Sequence, residues 1–286
     1  MQGMKSPLPN FLFPTEVFAS TGAGPYMAHS FPVASDFYHP KFSSFLKRND
    51  NHPFQMHRKL WEFAYIEDRL ERSKKLVPGK RGLSFGVGQE PLPALFAARG
   101  CRILATDGPA EIVEHKWSKN SEFSGDVSHL RFRGLVDEAQ FKKLVSYEPC
   151  DMNEIGQHLR NFDFCWSACC LEHLGSLEHG LEFIVNSLKT LKRGGVACHT
   201  TELNLSSNTD TIETGVTVLY RRKDLEVFCN RIRDLGHEIE PIFIPAPATP
   251  IDHHVDIPPY DHNPHLKLLL EGFVTTSVGI FIRKTN

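Results

Sequence analysis

Four groups of residues in this chain have the types and spacing to do chemistry, and in order they outline one ligand site. Gly86-Val87-Gly88 is a turn whose backbone can approach a ligand without side chains in the way. Asp107, roughly twenty residues on, has the spacing of an acid that accepts the hydroxyls of a ribose. Asp151-Met152 follows, and then Glu172-His173, a carboxylate and an imidazole able to move a proton. A glycine turn with a downstream acid fits a nucleoside-containing cofactor, but it does not separate a dinucleotide from other adenosine ligands.

Glu90 bears on that choice. It precedes Pro91, the expected first residue of a helix. A pyrophosphate seated at that helix start would be repelled by the carboxylate, whereas the ammonium of an amino-acid-bearing cofactor would be attracted. The plainer alternative is a Glu90 that faces water and complements the helix dipole.

These residues need strands and helices to hold them. Hydrophobic patterning predicts strands at Gly82–Phe85, Cys101–Thr106, Val145–Cys150, Phe162–Ala168, Val196–Thr200, Glu238–Ile244 and Gly272–Arg283. Helices are expected at His57–Lys75, Ala94–Ala98, near Ala110–Lys116, near Val136–Leu144, and at Leu177–Leu191 and Lys223–Leu235, with a polar loop around Asn120–Asp126. Pro241 suits only an edge strand. The alternation predicts an α/β, Rossmann-like, mostly parallel seven-stranded sheet with helices on both faces, and a ligand at the carboxyl ends of its strands. Asp107, Asp151 and Ser167 to Glu172 then crowd one rim.

Residues 1–55 read as an irregular N-terminal arm or lid ahead of the main domain, 56–286. The arm carries Phe31, Phe37, Tyr38, Phe42 and Phe45, too many aromatics for a plain disordered tail, so it is expected to pack on the domain or cover a pocket. Residues 245–265 are rich in proline and histidine and read as a long loop over one end of the sheet. Its Asp252, His253, His254, Asp256, His262 and His265 are metal-ligand types, but no i,i+4 helical pair anchors them, so no metal is assigned; a polar loop that contacts substrate or a neighbouring subunit is the preferred reading.

Thirty-two basic against 34 acidic residues give a net charge of −2, which supplies no field for nucleic acid. No apolar run of membrane-spanning length is present. Seven cysteines lie mostly inside apolar runs, and the C-x-x-x-C of Cys165 and Cys169 fits no zinc knuckle, so reduced buried thiols are expected. A soluble cytoplasmic protein follows as the expectation.

Leu83-Ser84-Phe85-Gly86-Val87-Gly88, Asp107, Asp151-Met152 and the run Phe162-Asp163-Phe164-Cys165-Trp166-Ser167-Ala168-Cys169-Cys170-Leu171-Glu172-His173-Leu174 together resemble the ordered motifs of class I S-adenosylmethionine-dependent methyltransferases. Leu188-Lys189-Thr190-Leu191-Lys192-Arg193-Gly194-Gly195 resembles that family's L-x-x-L-K-P-G-G, with Arg193 in the place of proline. The match runs in register over about residues 80 to 205, which is more specific than one glycine loop.

The resemblance implies S-adenosylmethionine as cofactor. It places Gly86, Val87, Gly88, Glu90 and Gly108 along the donor and Asp107 on both ribose hydroxyls. Asp151 and Met152 would frame the adenine, and Ser167, Ala168 and Cys169 would line the floor beside the sulfonium. The implied reaction is methyl transfer to a small or medium acceptor. If that acceptor is a hydroxyl, a base must take its proton, with His173 the first choice, Glu172 the second, and His199 and Glu202 nearby. His173 hydrogen-bonded within a helix start, and Glu172 as a first-turn carboxylate, stand as alternatives. Ser84 departs from the pattern where an acid is common, as does Glu90 where a third glycine often lies. An NAD(P)-binding oxidoreductase, and a non-catalytic descendant that binds nucleosides or partner proteins, are the competing readings. Neither the acceptor nor the oligomeric state is selected by the residues.

Overall fold

The structure, a computed structural model, describes residues 25–109, 126–132 and 134–286. The helix expected near Ala110–Lys116 and nearly all of the loop after it lie outside the described residues, as does the first part of the arm.

Two helices open the described chain, α1 (Ala34–Tyr38) and α2 (Pro40–Arg48), followed by α3 (Arg58–Arg72). Then come β1 (Arg81–Ser84), α4 (Leu92–Ala98), β2 (Arg102–Asp107), α5 (Glu138–Leu144), β3 (Val145–Pro149) and β4 (Phe162–Ala168). The remainder is α6 (Leu177–Lys189), β5 (Leu191–Asn204), α7 (Arg222–Asp234), β6 (Glu238–Ile239), α8 (Pro250–His253), β7 (Lys267–Leu270) and β8 (Phe273–Arg283).

The strands form one sheet in the order β3-β2-β1-β4-β5-β8-β6, with β7 added beside β8. β1 through β5 run parallel, and β8 pairs antiparallel with β5, β6 and β7. This is a Rossmann-like α/β fold. The seven-stranded path is the expected one; β7, just beyond the 245–265 loop, is an eighth strand with no counterpart among the expected ones. It joins β8 through Glu271 and Gly272, both at positive φ, as a tight hairpin with right-handed strand twist requires.

Every residue of β4 is buried, as suits a central parallel strand covered on both faces. Because side chains alternate along a strand, Phe164 and Trp166 join one core with Trp61, Phe96 and the arm aromatics. Cys165 faces the other, with Leu83, Phe183 and Phe228. β5 runs to Asn204 rather than Thr200 because β8 pairs with it continuously from Val196 to Asn204. β6 ends at Ile239, two residues before Pro241, which has no N–H for the ladder.

The arm is less irregular than expected. Phe42, Phe45 and Leu46 recur at helical spacing on α2 and are buried with Phe37 and Tyr38. Burying each such ring contributes on the order of 1.5–3 kcal/mol. The arm is also pinned by polar contacts: Asp36 accepts from Trp61 Nε1 at 2.8 Å and from the Met27 amide at 3.1 Å. Asp252, in the proline-rich loop, accepts the Ala34 amide at 2.7 Å. All seven cysteines are free thiols, five of them buried. Among the described residues no helix is long and apolar enough to cross a membrane.

Candidate functional site

The sheet changes direction between β1 and β4: after β1 the chain builds outward through β2 and β3, then returns to place β4 on the other side. Parallel sheets leave a crevice at such a point, outside the carboxyl ends of the strands. A cavity of about 920 Å³ lies there, near the upper end of the roughly 300–1,000 Å³ typical of ligand pockets.

Its first wall is the turn after β1. Gly86 and Gly88 have φ of +57° and +50°. A Cβ at Gly86 would lie 2.8 Å from the Cys170 sulfur, so glycine is required here by conformation and by space. The Val87 amide donates to the Thr106 carbonyl, and Thr106 Oγ1 donates to the Ser84 carbonyl, which ties the ends of β1 and β2 together. Ser84 is buried and its own hydroxyl has no partner among the described residues.

Asp107, the last residue of β2, accepts from the Gly88 amide at 3.0 Å through one carboxylate oxygen and from the Gly108 amide at 2.9 Å through the other. Asp151 Oδ1 accepts the Asn153 amide at 2.8 Å in the loop after β3, and the largely buried Met152 brings its sulfur 3.4 Å from where a Gly86 Cβ would be. Gly86, Val87, Gly88, Glu90, Asp107, Gly108, Asp151, Met152, Ala168 and Cys169 all line the cavity, as do Glu172 and His173.

Two expected side chains are elsewhere. Ser167 does not line the cavity; its hydroxyl pairs with His199 Nδ1 at 2.7 Å inside the core. The alternation along β4 turns it away from its neighbours Ala168 and Trp166. His199 is enclosed as well, with Ser187 Oγ 3.1 Å from Nε2 and Phe183 edge-on to the ring. Burial holds its pKa down to about 3, so it is a neutral core histidine and not a base for the cavity.

Glu90 does not face water. It is 6 % exposed and accepts from Trp166 Nε1 at 2.6 Å. Burial pushes its carboxyl up to about 8, which leaves it largely protonated at neutral pH. The dipole-complementing alternative therefore fails, and neither repulsion of a pyrophosphate nor attraction of an ammonium comes from a standing charge at this position. Pro91 is the N-cap of α4 and not its first residue.

Glu172 and His173 sit on a single 3-10 turn, Leu171–His173, directly after β4. Glu172 Oε2 accepts from Thr201 Oγ1 at 3.0 Å. His173 Nδ1 lies 2.9 Å from the Val216 carbonyl, which can only accept, so the neutral ring carries its proton on Nδ1. Nε2 lies 4.0 Å from Glu172 Oε1.

Three functional candidates escaped the sequence reading: Arg58, Lys59 and Glu62, at the start of α3. Glu62 is fully buried, 3.0 Å from Lys59 Nζ and 3.8 Å from Arg58 Nη1, and it accepts from Ser277 Oγ at 2.5 Å and from Cys169 Sγ at 3.1 Å. Burial alone would raise its pKa; the two cations more than offset that and hold it below the ordinary range. Arg58 also pairs with Glu202, whose carboxyl is raised by burial and by the neighbouring Glu172 and Glu62. The i,i+3 and i,i+4 spacing of the three was the available signal, but it is also the spacing of a solvated ion-pair face.

The proline-rich loop gathers His57, His262 and His265 into one stack. His57 Nδ1 accepts the Lys59 amide, and His265 Nδ1 is 2.5 Å from Asp256, so these groups brace the loop against α3.

No protein-family profile and no curated protein matches the sequence. Solved structures do align with it. One is an S-adenosylmethionine-dependent methyltransferase from Clostridium acetobutylicum, 12% identical over 86% of this chain and 98% of the other, with a TM-score of 0.45. A second, from Mesorhizobium loti, is 12% identical over 78% and 98%, with a TM-score of 0.46. A third, a complex of DhpI with SAH, is 13% identical over 86% and 94%, with a TM-score of 0.43. Overlap at this level adds nothing to what the strand order itself establishes.

Proposed function

We propose that this chain is a methyltransferase that takes its methyl group from S-adenosylmethionine and passes it to a small or medium acceptor in the same cavity. The observation that carries the reading is the juxtaposition of the Gly86–Gly88 turn with the Asp107 carboxylate at the mouth of the β1/β4 crevice. Backbone can approach a ligand there, and a carboxylate stands where a ribose would be gripped. Met152 and Asp151 supply an apolar and a polar contact for the adenine, and Ala168 and Cys169 form the floor toward the sulfonium.

The cofactor would supply an activated methyl carbon. What the protein supplies is position: donor and acceptor held in line in a walled site convert an encounter into an effectively unimolecular step. No covalent enzyme intermediate is needed. From a hydroxyl acceptor, His173, which lines the cavity on the 3-10 turn, would receive the proton.

Titration calorimetry of the full chain with S-adenosylmethionine, S-adenosylhomocysteine and NAD tests the reading. The two adenosyl ligands are expected to bind and NAD to give no heat. Protein shown to be folded that binds neither adenosyl compound, or that binds NAD more tightly, rejects it.

A further inference from the structure

The cavity wall made by Cys169, Glu172 and Glu202 carries a charge imbalance. Its two cations are already engaged. Arg58 pairs with Glu202, reaches Ser277 Oγ at 3.1 Å and lies 3.8 Å from Glu62; Lys59 holds Glu62 at 3.0 Å and the Ala168 carbonyl at 3.1 Å. Glu62 is saturated in turn by Lys59, Ser277 and Cys169. Two carboxylates are left with oxygens to spare. Glu202 Oε2 is buried with no partner among the described residues, although Glu202 is only 3 % exposed and lines the cavity. Glu172 spends one oxygen on Thr201 and turns the other toward His173 at 4.0 Å. Glu62, Glu172 and Glu202 are three carboxylates against two cations, and Glu172 and Glu202 both line the cavity.

We propose that this wall is the acceptor subsite and that the acceptor is an amine, its N–H groups held between the Glu202 and Glu172 carboxylates. The proposal rests on the methyl-donor reading of the same cavity. A carboxylate oxygen of Glu172, one of Glu202 and Cys169 Sγ lie within 4.8 Å of one another. Charge-assisted hydrogen bonds are about 2.7–2.9 Å long, so one nitrogen seated between the two carboxylates reaches both.

Other occupants fit less well. A hydroxyl has a single proton to donate and leaves one buried oxygen dry, a loss that a buried acceptor does not tolerate cheaply. A carboxylate or phosphate would meet two cations that are already paired and two anions that are not. A divalent metal would have to sit beside the Arg58 guanidinium and take a thiol whose pKa burial and the adjoining carboxylates hold far above neutral.

The chemistry balances. An ammonium bound here gives one proton to the Glu202 carboxylate, which frees the nitrogen lone pair. That pair attacks the methyl carbon of the donor, the carbon–sulfur bond breaks with its electrons going to sulfur, and the sulfonium becomes a neutral thioether. The methylated nitrogen carries the positive charge, and Glu202 returns its proton to water after the product leaves.

The test is binding to the full chain saturated with S-adenosylhomocysteine, using straight-chain primary amines of two to six carbons beside the matching alcohols and carboxylic acids, read by calorimetry and thermal shift. Amines are expected to bind at least about tenfold more tightly than either counterpart. Glu202→Gln is expected to lose that preference while S-adenosylhomocysteine still binds. Wild-type protein that prefers alcohols or acids, or a folded Glu202→Gln that binds amines as before, overturns the proposal. The wild-type comparison decides the matter if the variant does not fold. Should the adenosyl ligand itself fail to bind, the donor reading falls separately, and the amine comparison is made on the ligand-free protein by the same criterion. Binding that requires added magnesium or manganese and is lost with a chelator assigns the wall to a metal instead.

Discussion

Asp107 Oδ2 and the Gly88 amide nitrogen are 3.0 Å apart, so the acid at the end of β2 holds open the glycine turn at the end of β1. The side chain we propose to grip a ribose is also a structural clamp on the backbone that would line the rest of the donor. Its removal should therefore weaken binding twice, through the lost ligand contact and through a loosened turn. For Asp107→Ala we expect donor affinity to fall by at least about tenfold, or 1.4 kcal/mol. A lower melting temperature should accompany it, since hydrogen bonds to a charged group contribute about 1.5–3 kcal/mol each. Calorimetry and a thermal melt on the same preparation separate the two effects.

Gly86 has no room for a methyl group: a Cβ would be 2.8 Å from Cys170 Sγ and 2.9 Å from Cys170 Cβ, at a φ of +57°. Gly86→Ala is expected to destabilise the fold by about 1–3 kcal/mol, the usual cost of a strained backbone conformation, and to impair donor binding. Adding Cys170→Gly removes the collision but not the strain. Denaturant titration of the two single variants and the double should show partial recovery, with a coupling of about 0.5–3 kcal/mol. Strict additivity would mean that the two residues do not meet.

Glu90 sets an upper pH limit. In the unfolded chain its carboxyl ionises near the ordinary glutamate value, whereas in the fold burial raises it to about 8. Between those values the native state binds more protons, so its contribution to stability falls as pH rises through that window and levels off above pH 8. Glu90→Gln keeps an oxygen for the 2.6 Å bond from Trp166 Nε1 and has no charge to bury. Melting temperatures from pH 5 to pH 9 should decline less steeply for the variant than for the wild type, and parallel curves would show that Glu90 is ionised in the fold.

His199 works at the opposite end of the scale. Burial holds its folded pKa down to about 3, and an unfolded histidine protonates near 6.5. The unfolded state binds more protons in that interval, so stability is expected to be lost as pH falls from about 6.5 toward 3. Replacing His199 by Asn should flatten this acid limb, at the cost of the contacts to Ser167 and Ser187. Nuclear magnetic resonance titration of the ring protons checks it directly: a His199 that titrates above pH 5 contradicts the geometry.

The rim of the site was legible because each of its parts lies where an apolar run stops. β4 matches its expected bounds, Phe162–Ala168, residue for residue, and Gly86, Asp107 and Asp151 sit at strand ends as a parallel sheet demands. The alternation along β4 could have warned that Ser167, two residues from Cys165, faces the core with it. α2 was also readable, since Phe42, Phe45 and Leu46 fall on one helical face. The Arg58-Lys59-Glu62 cluster was not. Charges at i,i+3 and i,i+4 normally mark a wet helix face, and only the packing of α3 against Ala168 and Ser277 on two distant strands turns this one inward. The burial of Glu90 was hidden for the same reason: its partner, Trp166, is 76 residues away.

A crystal structure of the protein grown with S-adenosylhomocysteine bears most directly on the donor site. The adenosine is expected between Asp107 and Met152, with both ribose hydroxyls on the Asp107 carboxylate and the sulfur turned toward Cys169. Adenosyl density at any other place on the molecule, or a β1/β4 crevice left empty in crystals saturated with the ligand, would contradict it.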